Sequence, residues 1–101
     1  MKNIILASAV LVSSFGVYAD DYCEAISTLA ELTMTARQMG VPVSEIYKTP
    51  ADASEAERRL YLEMVKEAYA RPAWRSDEAQ RKEVSEFSSG WFLACIDALG
   101  Q

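Results

Sequence analysis

The sequence predicts an all-α fold: a small bundle of three helices with a short extra helical turn in a connector over 40–53. Its N- and C-terminal helices are expected to be joined by one disulfide. Three observations carry that reading. Apolar residues recur at three- and four-residue spacings in three long segments, and no segment alternates as a half-buried strand does. Glycine, proline and serine fall where those segments should stop and start. The chain has only two cysteines, Cys23 at the start of the first segment and Cys95 near the end of the last.

Residues 1–19, MKNIILASAVLVSSFGVYA, precede these segments. Lys2 opens them, Ile4 to Val12 is an apolar run broken only by Ser8, and Val17-Tyr18-Ala19 offers small residues at the two positions that signal peptidase reads. That is the layout of a secretory signal peptide cleaved after Ala19. The run falls short of the about 20 residues needed to span a bilayer. Cys23 follows Asp20, Asp21 and Tyr22, which is not the small, apolar approach to a lipid-modified cysteine. The expected product is residues 20–101, a single soluble domain exported to the bacterial periplasm, with no membrane segment after cleavage.

The first helix is expected over 21–39, with Tyr22, Ala25, Ile26, Leu29, Leu32, Thr33, Ala36 and Met39 on one broad face and acidic residues at its start. Gly40 and Pro42 stop it. In the connector, Ser44 is expected to cap a short turn through Glu45, Ile46 and Tyr47, ended by Pro50. The second helix begins at Ser54, because Ser54 with Glu57 forms a capping-box pattern. Leu60, Tyr61, Met64, Val65, Ala68 and Tyr69 are its buried stripe. Glu55–Arg59, Glu63–Lys66 and Glu67–Arg71 are charge pairs for its wet face, and Pro72 ends it. Ser76 caps the third helix, with Asp77 and Glu78 in its first turn. Val84, Phe87, Trp91, Cys95 and Leu99 form its stripe, and Gly100 stops it. The stretch from Val84 to Leu99 is expected to be the central helix.

In an oxidising compartment, two cysteines in a small chain point to one internal bridge, ahead of an intermolecular bridge or two free thiols. Closing a loop of roughly 70 residues is worth about 4.4 kcal/mol on a chain-entropy estimate. The bridge also sets topology. A connector of 14 residues (40–53) is long enough to carry the chain back, so that the third helix runs antiparallel to the first and Cys23 meets Cys95. Facing positions then sum to about 118, setting Ser88, Ser89 and Gly90 against Thr28, Leu29 and Ala30. This gives Gly90 a close-packing role, the alternative being a kink.

The chemistry is sparse. The sequence has no histidine, which removes the commonest general base and metal ligand. It has no CxxC pair, glycine-rich phosphate loop, HExxH or calcium loop. Glu63 with Glu67, and Glu83 with Glu86, read as solvated surface rather than acid–base pairs, and Asp97 as a charge facing water. No catalytic, cofactor or metal site is expected, and the chain does not read as an enzyme. After loss of Lys2, nine basic residues face fifteen acidic ones, which disfavours nucleic acid and anionic membrane as partners.

One cluster stands out. The proposed topology brings Arg37, Arg71, Arg75 and Arg81 to the end away from the disulfide, around Trp74 and Pro72. Arginine and tryptophan are the residues that interfaces favour, so Arg37, Arg71, Trp74 and Arg75 are the candidate contacts for a protein partner. The competing expectation is that Asp77 and Glu78 neutralise the arginines while Trp74 folds over the helix ends as a lid.

The segments TARQMGVP (35–42), SEIY (44–47), AYARP (68–72) and EFSSGWFLAC (86–95), with Cys23 ahead of them, resemble a group of small signal-peptide-bearing proteins of bacterial and phage genomes. The group has no assigned activity. The resemblance covers most of the mature chain and implies a helical, disulfide-bridged protein without a known site. A looser similarity, in architecture alone, is to small periplasmic acid-stress chaperones, which makes partial unfolding at low pH a second expectation.

Overall fold

The computed structural model describes residues 21–49 and 51–100. The expected signal peptide (1–19), its expected cleavage site and Pro50 lie outside the described residues. Helix α1 occupies 21–38, α2 is the single turn Val43–Ile46, α3 runs Glu55–Ala70 and α4 runs Asp77–Ala98. No strand occurs among the described residues. The protein is a bundle of three long helices with one short helical turn in the connector.

Local sequence explains most of the boundaries. Gly40 takes φ +81° and Gly100 φ +74°, the left-handed conformation that ends α1 and α4 at little cost to glycine. Both halves of the capping box form at α3: Glu57 N donates to Ser54 Oγ at 3.1 Å, and Ser54 N donates to Glu57 Oε1 at 2.8 Å. At α4, Ala79 N donates to Ser76 Oγ. The α2 turn differs from expectation. Its N-cap is Pro42, which makes no side-chain cap bond, and Ser44 lies inside the turn. Proline's fixed φ already suits an extended residue before a helix, so the turn starts two residues early.

The disulfide joins Cys23 to Cys95 with a Cα–Cα distance of 5.6 Å across 72 residues of sequence. It ties α1 to α4 in antiparallel register. Glu31, Thr35 and Gln38 share one groove with Gln80, Val84 and Ser88, and at the disulfide the facing positions sum to 118. The side chain of Ser27 donates to the carbonyl of Ser88 at 3.3 Å.

The core is Ile26, Ala30, Met34, Met64, Ala68 and Phe87, with Leu29, Leu60, Tyr69, Val84, Trp91 and Cys95 packed around it. The helix buried most deeply is α1, not the expected Val84–Leu99 stretch. Cys23, Ile26, Ala30, Thr33, Met34 and Gln38 are six of the twelve residues buried among those described, whereas α4 buries Glu83, Phe87 and Ser88. The reason is position: α1 touches α3 through Thr33 and Met64 and α4 through Ser27 and Ser88, so it is covered on two flanks.

The expected role of Gly90 is also corrected. A Cβ placed there would meet nothing within 4 Å. Helix α4 turns Val84, Ser88 and Cys95 towards α1. Gly90, two residues past Ser88, lies roughly 160° around the helix from it, on nearly the opposite side.

Candidate functional site

The end of the bundle opposite the disulfide is built where α1 stops, α3 turns into α4 and α4 begins. Pro72 cannot continue α3, and Arg71 is already extended, with φ −92° and ψ 154°. The chain then crosses the end of α1 before Ser76 starts α4.

Two buried polar side chains hold this crossing. Gln38 is 7% exposed. Its Nε2 donates to the carbonyl of Pro72 at 2.9 Å, and its Oε1 accepts from the amide of Trp74 at 2.8 Å. Glu83 is 9% exposed. One of its oxygens accepts from Arg71 Nη1 and the other from Trp74 Nε1, each at 2.9 Å. From α4, Gln80 Nε2 donates to the carbonyl of Trp74 at 2.7 Å. The backbone amide, carbonyl and indole N–H of Trp74 are thus all bonded.

The charges are arranged to match. The Trp74 bond, aided by the bond and charge of Arg71, holds the Glu83 carboxyl below its ordinary range, although burial opposes this. Arg71 also reaches Glu67 at 3.5 Å, and its guanidinium sits 5.1 Å from the centre of the Phe87 ring. Arg37 Nε donates to the carbonyl of Arg71 at 3.0 Å, and its guanidinium lies 5.3 Å from the centre of the Tyr69 ring. Stacking of this kind favours arginine over aromatic faces. Tyr69 in turn donates to the carbonyl of Val41 at 2.6 Å, pinning the connector to α3.

Of the four residues expected at a partner site, the structure brings Arg37, Arg71 and Trp74 into one network. Arg75 is exposed and makes no hydrogen bond or ion pair with the described residues. The neutralising carboxylates are Glu83 and Glu67 rather than Asp77 and Glu78. An acid at position 77 or 78 lies in the first turn of α4, while Glu83 lies on the face turned to Arg71. Trp74 keeps 44% of its surface exposed, so it closes the helix ends with one side and meets solvent with the other.

Sequence reasoning missed Gln38 and Glu83. Both carry a signal in hindsight: Gln38 continues the 30–34–38 series of the buried face, and Glu83 stands one turn before Phe87. A polar residue on a buried stripe needs a partner.

Of the carboxylates expected as solvated surface, Glu63, Glu67 and Glu86 are exposed, whereas Glu83 is buried because it faces Arg71 and Trp74. Glu63 pairs with Lys66 and Glu67 with Arg71. Among the described residues, no three histidine, cysteine or acidic side chains group as a metal site. Among the same residues, no helix is long and apolar enough to cross a membrane. No protein-family model, curated protein or solved structure matches the chain.

Proposed function

We propose that this chain is an exported periplasmic protein that binds another protein through the Arg37/Arg71/Trp74/Arg75 end of the bundle. The observation that carries the reading is the state of Trp74. Its backbone and indole N–H are bonded from three sides, yet 44% of the residue faces solvent. A large aromatic held this way loses little freedom on binding, which is how preorganised contacts gain affinity. Arg75 beside it has its donors uncommitted to described residues and can meet a carboxylate or carbonyl of the partner.

The test is affinity capture from periplasmic extract with the tagged, oxidised, exported protein. One stoichiometric partner should be retained by the wild type and lost from both Arg75→Glu and Trp74→Ala. A partner captured equally by all three would refute the site.

A second reading, an acid-responsive chaperone, is favoured by the Glu83 junction. Both Glu83 and the capping Glu57 sit below their ordinary carboxylate range, Glu57 through the Ser54 amide and hydroxyl. Stability from such groups is present above the unfolded pKa and is lost as pH falls through the folded one. Loss of the junction would release the 71–76 turn. Identical circular dichroism at neutral pH and at about pH 2 would remove this reading.

A further inference from the structure

Helices α1 and α4 share one face of the bundle. A groove runs along it, lined by Glu31 and Thr35 from α1, by Met39 in the turn after it, and by Arg81, Val84 and Ser85 from α4. Met39 is 75% exposed and Leu32, on the outer side of α1, 62%. Glu31 and Arg81 are both exposed, and neither makes an ion pair with a described residue.

The placement of those two charges is self-complementary. Carrying the register of the disulfide along the bundle, where Cys23 faces Cys95, sets Arg81 level with Arg37 and Glu31 with Phe87. They are therefore about six residues, roughly 9 Å, apart along the bundle and on opposite helices. Midway between them lie Thr35 and Val84. A two-fold axis lying in the face at that level carries Arg81 of a second copy to the level of Glu31, and the reverse. The long arginine side chain spans the 8–10 Å typical between packed helices. The same operation brings Met39 of one copy to within about one turn of Leu32 of the other. The small side chains of Thr35 and Ser85 fall near the axis, where the helices approach most closely.

We propose that a second copy of this chain docks on the α1–α4 face, giving a two-fold dimer with reciprocal Glu31–Arg81 ion pairs. The apolar contacts of Met39, Leu32 and Val84 supply affinity, and the charge pairs set the register, since rim charges govern orientation more than strength. The groove adjoins the Trp74 turn through Gln38 and Gln80, but the proposal rests on Glu31 and Arg81 and does not depend on the partner site above.

Sedimentation of the exported, oxidised protein over a dilution series tests it. The wild type should have the mass of two chains and dissociate on dilution. Glu31→Arg and Arg81→Glu should each weaken association at least about tenfold, and the double variant should restore it. Both positions are exposed, so folding is expected to survive, with circular dichroism as the check. A wild type that stays monomeric throughout overturns the proposal. So does a dimer that is indifferent to both single reversals, or one weakened by them and not rescued by the swap.

Discussion

Glu83→Gln removes one negative charge from the junction of α3, the 71–76 turn and α4, while keeping the size of the side chain and one carbonyl acceptor. In the wild type each carboxylate oxygen accepts one bond of 2.9 Å, from Arg71 Nη1 and Trp74 Nε1. Hydrogen bonds to charged groups contribute about 1.5–3 kcal/mol each when both partners are withdrawn from water. Here only the acceptor is buried. The Arg71 side chain is 38% exposed and Trp74 44%, so both donors regain water when the bond weakens. The amide also retains one of the two bonds. These discounts set the expected loss at about 1.5 kcal/mol at neutral pH, lowering Tm by about 6–12 °C in a domain of this size.

The pH dependence is the sharper test. Glu83 is held below the ordinary carboxylate range by Trp74 first and Arg71 second, against the effect of burial. A carboxylate with a depressed folded pKa stabilises fully above its unfolded pKa. That contribution disappears as pH falls through the folded value. The difference between the wild type and Glu83→Gln should be full at neutral pH and close by about pH 2. Urea denaturation of both proteins, followed by circular dichroism across that range, measures it. A gap that persists at low pH, or one below about 0.5 kcal/mol at neutral pH, would refute the role of Glu83 as the charged anchor.

Two further outcomes follow from the same geometry. Gln38→Ala strips the turn of its bonds at Pro72 and Trp74 and should cost about 2–3 kcal/mol, with faster hydrogen exchange at the Trp74 amide. An amide that exchanges equally fast in the wild type would show that Gln38 does not hold it. Gly90→Ala should stabilise by about 0.5–1 kcal/mol, because a Cβ there meets nothing within 4 Å. A lower Tm in that variant would reveal a neighbour close to Gly90.

Glycine and serine positions made the helix ends readable. Gly40 and Gly100 permit left-handed backbone, and Ser54 and Ser76 offer a side-chain acceptor to amides that the helix leaves unbonded. These effects act within four residues of sequence, so no tertiary contact is needed to foresee them. The surface pairs of α3 were legible for the same reason. All three, Glu55–Arg59, Glu63–Lys66 and Glu67–Arg71, form at 3.5–3.6 Å. The disulfide was legible through number, since two cysteines allow one internal pair, and it carried the antiparallel register of α1 and α4 with it.

What only the tertiary structure decided is which face meets which neighbour. Periodicity places Gly90 on α4 but does not say that the helix turns it to open space. It marks Val84–Leu99 as apolar but does not reveal that α1 is flanked on two sides and so carries the deeper core. Arginines at one end of a bundle look like an exposed patch in sequence. In three dimensions Arg71 and Arg37 are committed to Glu83, Glu67, a carbonyl and two aromatic rings, whereas Arg75 and Arg81 make no ion pair with the described residues. Gln38 and Glu83 made that difference. Their partners lie 34–36 and 9–12 residues away respectively. A hydrogen bond between residues so far apart depends on where the chain crosses itself, which no local pattern encodes.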